Sequence, residues 1–494
     1  MNKVNFYGDI IYADGWFAYI RDDGKSSPLT RNDARKIELD YRKYNAQMDV
    51  DRGGMQQSQA YKGRGLIWNE VKRTYEVNGK YRVDELASSA LDVVIGDKLI
   101  IPESIGGYEM NHIYRDSFQN LDIEKLVVPE GITGISSGAF DGCTKLKDVQ
   151  FGSHLNIESN AFCNCPFVTF FSGICYINNT LYKATEEISK NLVIPYNVTS
   201  ISDHAFENNK TLETVVIPED CNFIGLRAFS GCSFLKSVTF AGKAGKIGAS
   251  AFESCPQLEQ VDLPEGVKEI PDYLFKDCSK LLEVTIPSSI TRVGKRAFQG
   301  TEIEKSFLNS SDDCMYVGNW LIDIKKDCAV ELPIREGTVG IAEGACFHNG
   351  AKRKFKKVYL PSSVKYLNAW SLTHSELEEL DLGSVEDIGL DAIRGNKCTE
   401  IHIPKTCKKL TYWNFMDCPK IKDIYFHNPD TFIEFPAITD RRDKAIIRVH
   451  GYEGSTAEAY CQEYGSKFNL SFIKMDHGDA ESSPFLNFIR KIIK

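Results

Sequence analysis

Along most of this chain the apolar positions return in one fixed order. At Leu212 to Pro218, "LETVVIP", apolar and polar residues alternate with period two and then meet a proline. That is the pattern of a short half-buried strand, closed by a residue with no N–H to give to a ladder. The same alternation ends "ISSGAFDGCTKLKDVQF" and "IGASAFESCPQLEQVDLP", each time after an Ala-Phe pair, a cysteine three residues on, and a leucine. Phe118, Phe140 and Phe162 are spaced by 22 residues, and Phe206, Phe229, Phe252, Phe275 and Phe298 by 23. The gap of 44 from Phe162 to Phe206 is two periods, and Cys346, Leu372, Ile393 and Phe415 continue the slot more loosely. A repeat of this length predicts a solenoid, in which one apolar face per unit is too small to bury alone and stacked neighbours make the core. Ala and Phe are expected to fill the turn layer, with the cysteine as a small apolar residue inside it.

The repeated "I-x-x-x-A-F-x-x-C-x-x-L-x-x-V-x-I-P" unit, the segment "LIIPESIGGYEMNHIYRDSF" from Leu99 and the terminal "IRVHGYEGSTAEAYCQEYGSKF" from Ile447 resemble the BspA-like leucine-rich repeat proteins of bacteria and some protists. The resemblance covers roughly Tyr75 to Ile473. It implies a right-handed curved superhelix with a parallel β-sheet on the concave face and turns and short helical segments on the convex face. It also implies a role in binding macromolecules rather than catalysis. Two longer units, "CYINNTLYK" from Cys175 and "CMYVGNWLID" from Cys314, share a Tyr, an Asn and a Leu in register and look like the hairpin insertions that family tolerates.

Composition narrows the partners. Apolar residues at 42% and charged residues at 26% are those of a folded chain, and no apolar run reaches the roughly 18 residues of a spanning helix. A net charge of -9 gives no overall reason to approach phosphate backbones, so no nucleic-acid partner is expected. The start has no apolar h-region before Gly8 and Asp9. The expected location is cytoplasmic if the chain is complete as written, and cell surface or secreted if a leader was removed.

Chemistry-bearing motifs are read as structure. Of the fifteen cysteines, Cys143, Cys165, Cys232, Cys255, Cys278 and Cys418 stand three residues after the Phe slot and should stack as a ladder of buried free thiols, one per repeat. "CNC" at Cys163 to Cys165 lacks zinc spacing. The nine histidines show no "HExxH", "GKAGKIGAS" from Gly242 lacks the Gly-Lys-Ser/Thr ending of a P-loop, and Ser455 is not in a G-x-S-x-G elbow. No catalytic residue, metal site or cofactor is expected.

Function is then expected on the outward strand positions. In the first half these are Val127, Gln150, Val216, Thr239, Asp262 and Thr285; after the second insertion they become Glu331, Tyr359, Asp381, His402, Tyr425 and Arg448. The adjacent outward row runs Lys357, Glu379, Glu400, Asp423. Equivalent residues of parallel neighbours stand about 4.8 Å apart, so Glu379, Glu400 and Asp423 set like charges side by side, which is unfavourable unless something relieves it. Three readings compete: a solvated face whose side chains splay apart, an acidic and aromatic patch for a cationic protein segment or a sugar stacked on Tyr359 and Tyr425, and a bound cation such as Ca²⁺.

Both ends leave the repeat. Residues 1–74 read as a small α+β N-terminal domain: a strand-like "DIIYADGWFAYIRDDG", then a helix capped by Thr30 with Asp33 in its first turn and Ala34, Ile37, Tyr41 and Tyr44 on one side. Residues 75–473 are the solenoid with its caps. Residues 474–494 are an acidic linker and an amphipathic helix from Pro484, with Phe485, Phe488, Ile489 and Ile492 at helical spacing. That helix would dock on its own solenoid, in a partner groove or at a membrane surface. The expected whole is a non-enzymatic scaffold that binds another protein through its repeat surface. The alternatives are a cell-surface adhesin or glycan-binding protein, and an enzyme with its activity in the N-terminal domain.

Overall fold

The computed structural model describes residues 98–476, except 102–103, 106–107, 110, 114, 116, 153–154, 159, 326–330, 347–355 and 440–443. Upstream it describes the strands Ile10–Ala13, Trp16–Ile20, Ser26–Pro28, Leu66–Asn69, Thr74–Val77 and Val94–Ile95. The helix expected from Thr30 and the tail with Phe485, Phe488, Ile489 and Ile492 lie outside the described residues. The chain forms two compact units, Met1–Ser189 with Asn197–Phe206, and Lys190–Tyr196 with Glu207–Lys494.

In the first unit the strand-like start is an antiparallel sheet, Ile10–Ala13 against Trp16–Ile20 and that against Ser26–Pro28. Further on, Lys98–Ile100, Lys125–Val127 and Asp148–Gln150 pair in parallel and in register, as solenoid turns require. Phe118, Phe140 and Phe162 stack at 5.3 and 5.1 Å between ring centroids. The first insertion is the expected hairpin, Ile174–Ile177 against Thr180–Ala184. Its Tyr182 solves a local problem. In regular turns the Phe-slot N–H donates to the next turn's Ala carbonyl, as from Phe140 to Ala161 at 2.7 Å. Phe162 has the hairpin there instead, and its N–H donates to the buried Tyr182 hydroxyl at 3.1 Å.

The second unit repeats the scheme. Asn191–Val193, Thr214–Ile217 and Ser237–Phe240 pair in parallel, as do Gln260–Asp262 and Glu283–Thr285. Phe229, Phe252, Phe275 and Phe298 stack at 5.2, 6.0 and 5.9 Å, all buried, and Cys346, Leu372, Ile393 and Phe415 are buried in the same slot. Each turn also carries a second strand of two residues: Gly340–Ile341, Tyr366–Leu367, Asp387–Ile388, Lys409–Leu410 and Phe432–Ile433 form one parallel row. Two residues are too few for alternation to register in a sequence.

The turn layer is held by left-handed backbone on both sides of the Phe slot. Two residues before it stand Arg227, Tyr273, Arg296, Trp370 and Trp413, at φ between 53° and 58°; two residues after it stand Asn208, Gly231, Asp277, Gly300, Gly395 and Asp417, at φ between 58° and 75°. A non-glycine residue there costs about 1–2 kcal/mol. Backbone bonds between turns, such as Arg227 N–H to Ala249 and Tyr273 N–H to Lys295 at 3.0 and 3.1 Å, offset this.

After Phe298 the repeat breaks into the helix Glu302–Asn309 and the second hairpin, Cys314–Val317 against Trp320–Ile324. Thr301 caps the helix, accepting from the Glu304 N–H at 3.2 Å, while the Glu304 side chain accepts from the N–H of Gly300, one residue before the cap, at 2.7 Å. Across the break the Asn368 amide imitates a strand, accepting from Val293 N–H at 2.8 Å and donating to the Thr291 carbonyl at 3.2 Å. Beside it Arg292 holds the buried Glu343 at 2.5 Å. Burial is the largest effect on the Glu343 carboxyl and raises its pKa, against the pull of Arg292. The unit closes on the helix Thr456–Phe468, where Tyr460 plays the part of Tyr182 and its hydroxyl accepts from Ile438 N–H at 3.3 Å.

Candidate functional site

The cysteine slot holds more than an apolar filler. The expected ladder thiols are buried and free, and they donate to the Phe-slot carbonyl of the turn before: Cys143 to Phe118 at 3.2 Å, Cys165 to Phe140 at 3.1 Å, Cys255 to Phe229 at 3.2 Å and Cys278 to Phe252 at 3.0 Å. Asn396, at the same offset, donates to Leu372 at 3.0 Å. Ser455 is the N-cap of the helix Thr456–Phe468, accepting from Glu458 N–H at 3.3 Å. In "GKAGKIGAS", Gly248 lies where a Cβ would come within 2.5 Å of the Gly225 backbone, a packing need rather than a phosphate cradle. Among the described residues no group of three or more His, Cys, Asp or Glu side chains could hold a metal ion, and no helix is long and apolar enough to cross a membrane.

The outward strand positions gather the chemistry. Glu400–Ile403, Asp423–Phe426, Ile447–Gly451 and Leu470–Lys474 form one parallel sheet. Ile401, Ile424 and Val449 point into the core, and Ile403 and Phe426 follow them. Register places Asp423 opposite Glu400 and Arg448, and Tyr425 opposite His402 and His450. Two expected positions are thereby corrected. Arg448 belongs to the charged row, and His450 takes its place beside Tyr425. Glu331 bridges to Lys357 rather than Tyr359, so it too belongs to the charged row. Both slips came from counting periods across segments whose spacing is uneven. The neighbouring pair, Lys357–Tyr359 and Glu379–Asp381, sets Lys357 against Glu379 and Tyr359 against Asp381.

The like-charge crowding expected along this row is relieved by specific partners. Glu379 takes Lys357 at 2.5 Å and accepts from the Tyr359 hydroxyl at 2.8 Å. The Lys357 bond, then the Tyr359 bond, hold its carboxyl below the usual range. Asp423 accepts from Arg448 through Nε at 2.6 Å and Nη2 at 2.5 Å, and is bonded to His450 Nε2 at 2.7 Å. The Arg448 bond, with His450 behind it, lowers its pKa to about 2. Asp381 accepts from Gly383 N–H at 2.9 Å, and Glu400 is exposed.

The second row is a stack of flat rings. His402 and Tyr425 lie 4.3 Å apart and within 5° of parallel, and Tyr425 and His450 4.1 Å apart and within 17°. Both faces of Tyr425 are covered by imidazoles, so a sugar has no free Tyr425 face on which to stack; only ring edges and the hydroxyl are presented. His427, which the sequence reading did not single out, stands beside the stack, its Nε2 2.9 Å from His402 Nδ1. Burial pushes the His402 imidazole below its ordinary pKa and that of His427 down to about 4, the neighbouring imidazoles adding to both. No motif announces this cluster, because its members come from three strands, around residues 402, 425 and 450, and meet only through strand register.

A profile of the BspA type leucine rich repeat region, in six copies, matches residues 111–233, 209–320 and 339–440. Several solved structures are similar to this chain, among them the following three. A leucine-rich repeat protein from Bacteroides ovatus is 19% identical, with 84% of this chain and 99% of that one covered and a TM-score of 0.26. A leucine rich cell surface protein from Faecalibacterium prausnitzii is 18% identical, with 83% and 97% covered and a TM-score of 0.25. The pneumococcal vaccine antigen PcpA is 17% identical, with 81% and 94% covered and a TM-score of 0.25. No curated protein matches the chain.

Proposed function

The chain belongs to the BspA type leucine-rich repeat family, and from that premise we propose that it is a non-enzymatic scaffold whose outward strand face, from Tyr359 to His450, binds another protein. The observation that carries this reading is the prior order of that face. Lys357 and Glu379, Asp423 with Arg448 and His450, and the His402–Tyr425–His450 stack are each fixed by bonds within the chain. A face already ordered loses little side-chain freedom on binding, a loss of about 0.5–1.5 kcal/mol per immobilised flexible side chain elsewhere. Along the charged row the four carboxylates of Glu331, Glu379, Glu400 and Asp423 stand with two cationic side chains, Lys357 and Arg448, so the balance favours a partner with a cationic segment. Glu400 is the carboxylate such a segment would meet first.

The test is capture by the immobilised full-length chain from the cells that make it, with identification by mass spectrometry. Wild type is compared with a face variant, Tyr359→Ala with Glu400→Lys, and with a control variant on the early strands, Thr239→Lys with Gln260→Lys. A partner retained by wild type and control but lost from the face variant supports the reading. Equal retention by all three would contradict it.

A further inference from the structure

His427 has no part in the binding face as described so far, yet it is the ring with the least accommodated chemistry. One N–H must lie between His402 Nδ1 and His427 Nε2 at 2.9 Å, one nitrogen donating and the other accepting. The remaining nitrogens, His402 Nε2 and His427 Nδ1, are buried and have no hydrogen-bond partner among the described residues. In the neutral pair the accepting ring already carries its one hydrogen on the outer nitrogen; the first proton added makes a second buried N–H with no acceptor, on the donating ring, and brings a charge into a half-buried site. The second sets two N–H groups head-on across the same gap.

The surroundings do not compensate. On the strand of His402, Glu400 is exposed. On the next strand Asp423 is already engaged by Arg448 and His450, and Tyr425 contributes a ring face. The strand after that adds Arg448 and His450, both able to carry positive charge. At the equivalent position one turn earlier Asp381 is committed to the Gly383 N–H. In the turns that follow the two histidine strands, Lys405 and Asp430 are exposed.

We infer that the His402–His427 pair is a proton-controlled latch on the interaction face, closed while neutral and opening in acid, so that Tyr425 loses its His402 partner and the face releases what it holds. The release step rests on the binding reading above; the latch itself does not. Burial, which holds the His427 imidazole down to about 4, puts the opening well below the range in which an ordinary histidine titrates.

The experiment follows the imidazole signals of the full-length chain, ¹³C-labelled in histidine, from about pH 8 to about pH 4, a span that brackets ordinary histidine titration. His402→Phe and His427→Phe assign the two signals, with His427→Asn as a second variant should the larger ring disturb folding. The latch predicts that both signals hold their positions through the ordinary range, then shift together with the Tyr425 ring signal. Either imidazole titrating alone in the ordinary range would overturn it. In parallel, affinity for the partner captured above is measured at both ends of the range. An acid loss of about twofold in wild type at about pH 4, where half of the pairs are protonated, absent in His427→Phe, supports the coupling; the same loss in both overturns it. If the two imidazoles shift together but no partner uses this face, the binding reading fails and the latch stands.

Discussion

At the residue scale, the position three after the buried ring takes a side-chain donor: Cys255 and Asn396 give theirs to the slot carbonyl of the turn before, and Thr301 gives its hydroxyl to Phe298 in its own turn. Cysteine looks like a small hydrophobe in a sequence, and burial was correctly expected; the donor role is visible only once the carbonyl above it is located. Replacing Cys255 by Ala should leave the Phe229 carbonyl with the Cys232 N–H but without the thiol and destabilise by about 0.5–1.5 kcal/mol, whereas Cys255→Ser should retain most of it; urea unfolding of the two variants checks the order. Burial also lifts thiols, Cys221 to about 11 and Cys398 to about 12. Since the thiolate is the nucleophile, these two should resist alkylation at about pH 8 in the native chain and react within minutes once it is unfolded, as mass spectrometry would record. The ring itself is the larger contributor: Phe252→Ala removes a fully buried aromatic stacked on both sides and should cost about 3–5 kcal/mol. A thermal shift equivalent to less than about 1 kcal/mol would deny the slot its place in the core.

At the scale of elements, what the chain declares in advance is what repeats. The long strands and the Phe stack follow from period and alternation, and both hairpins from the resemblance of the paired "Tyr, Asn, Leu" strings to insertions of the BspA-like family. The two-residue strands do not, nor do the joints where the repeat fails, because each is a single side chain standing in for backbone: Tyr182 after Phe162, Asn368 across the second insertion, Tyr460 at the end. Asn368→Ala should leave Val293 N–H and Thr291 carbonyl unpaired and destabilise by about 1–3 kcal/mol, with faster hydrogen exchange at Thr291 to Val293. The site was half legible. Tyr359, Glu379, Asp381, Glu400, His402, Asp423 and Tyr425 do line one face, but uneven spacing hid the exchange of Arg448 for His450, and nothing marked His427. The histidine pair also sets a pH dependence of stability. A histidine whose folded pKa is depressed leaves the unfolded chain to bind the proton first, so stability is full above the unfolded value of about 6.5 and declines as pH falls from there toward about 4. Asp423, depressed to about 2, contributes stability that is present above the unfolded carboxylate value and lost only as pH falls through about 2. Melting temperature should therefore drop between about pH 6.5 and pH 4 in wild type, and less steeply in His427→Phe.

At the scale of the whole molecule, the repeats of the second unit set two distinct outer stretches over a regular interior, polar and mostly uncharged at Thr239 or Thr285, charged and ring-bearing from Tyr359 to His450. Interior order is spent on stacking, and the outward residues are free to differ from turn to turn, which is how a solenoid specifies a partner without changing its fold. The claim that this later face is the binding face is tested most directly by the affinity of the captured partner for wild type and Glu400→Gln across a range of salt. Glu400 is the substitution to choose because Asp423 and Glu379 hold the face together. If a cationic segment docks here, Glu400→Gln should bind about three- to tenfold more weakly at low salt, with the difference shrinking as screening shortens to about 8–10 Å, and its melting temperature should match wild type. Identical affinities at every salt concentration would contradict the claim.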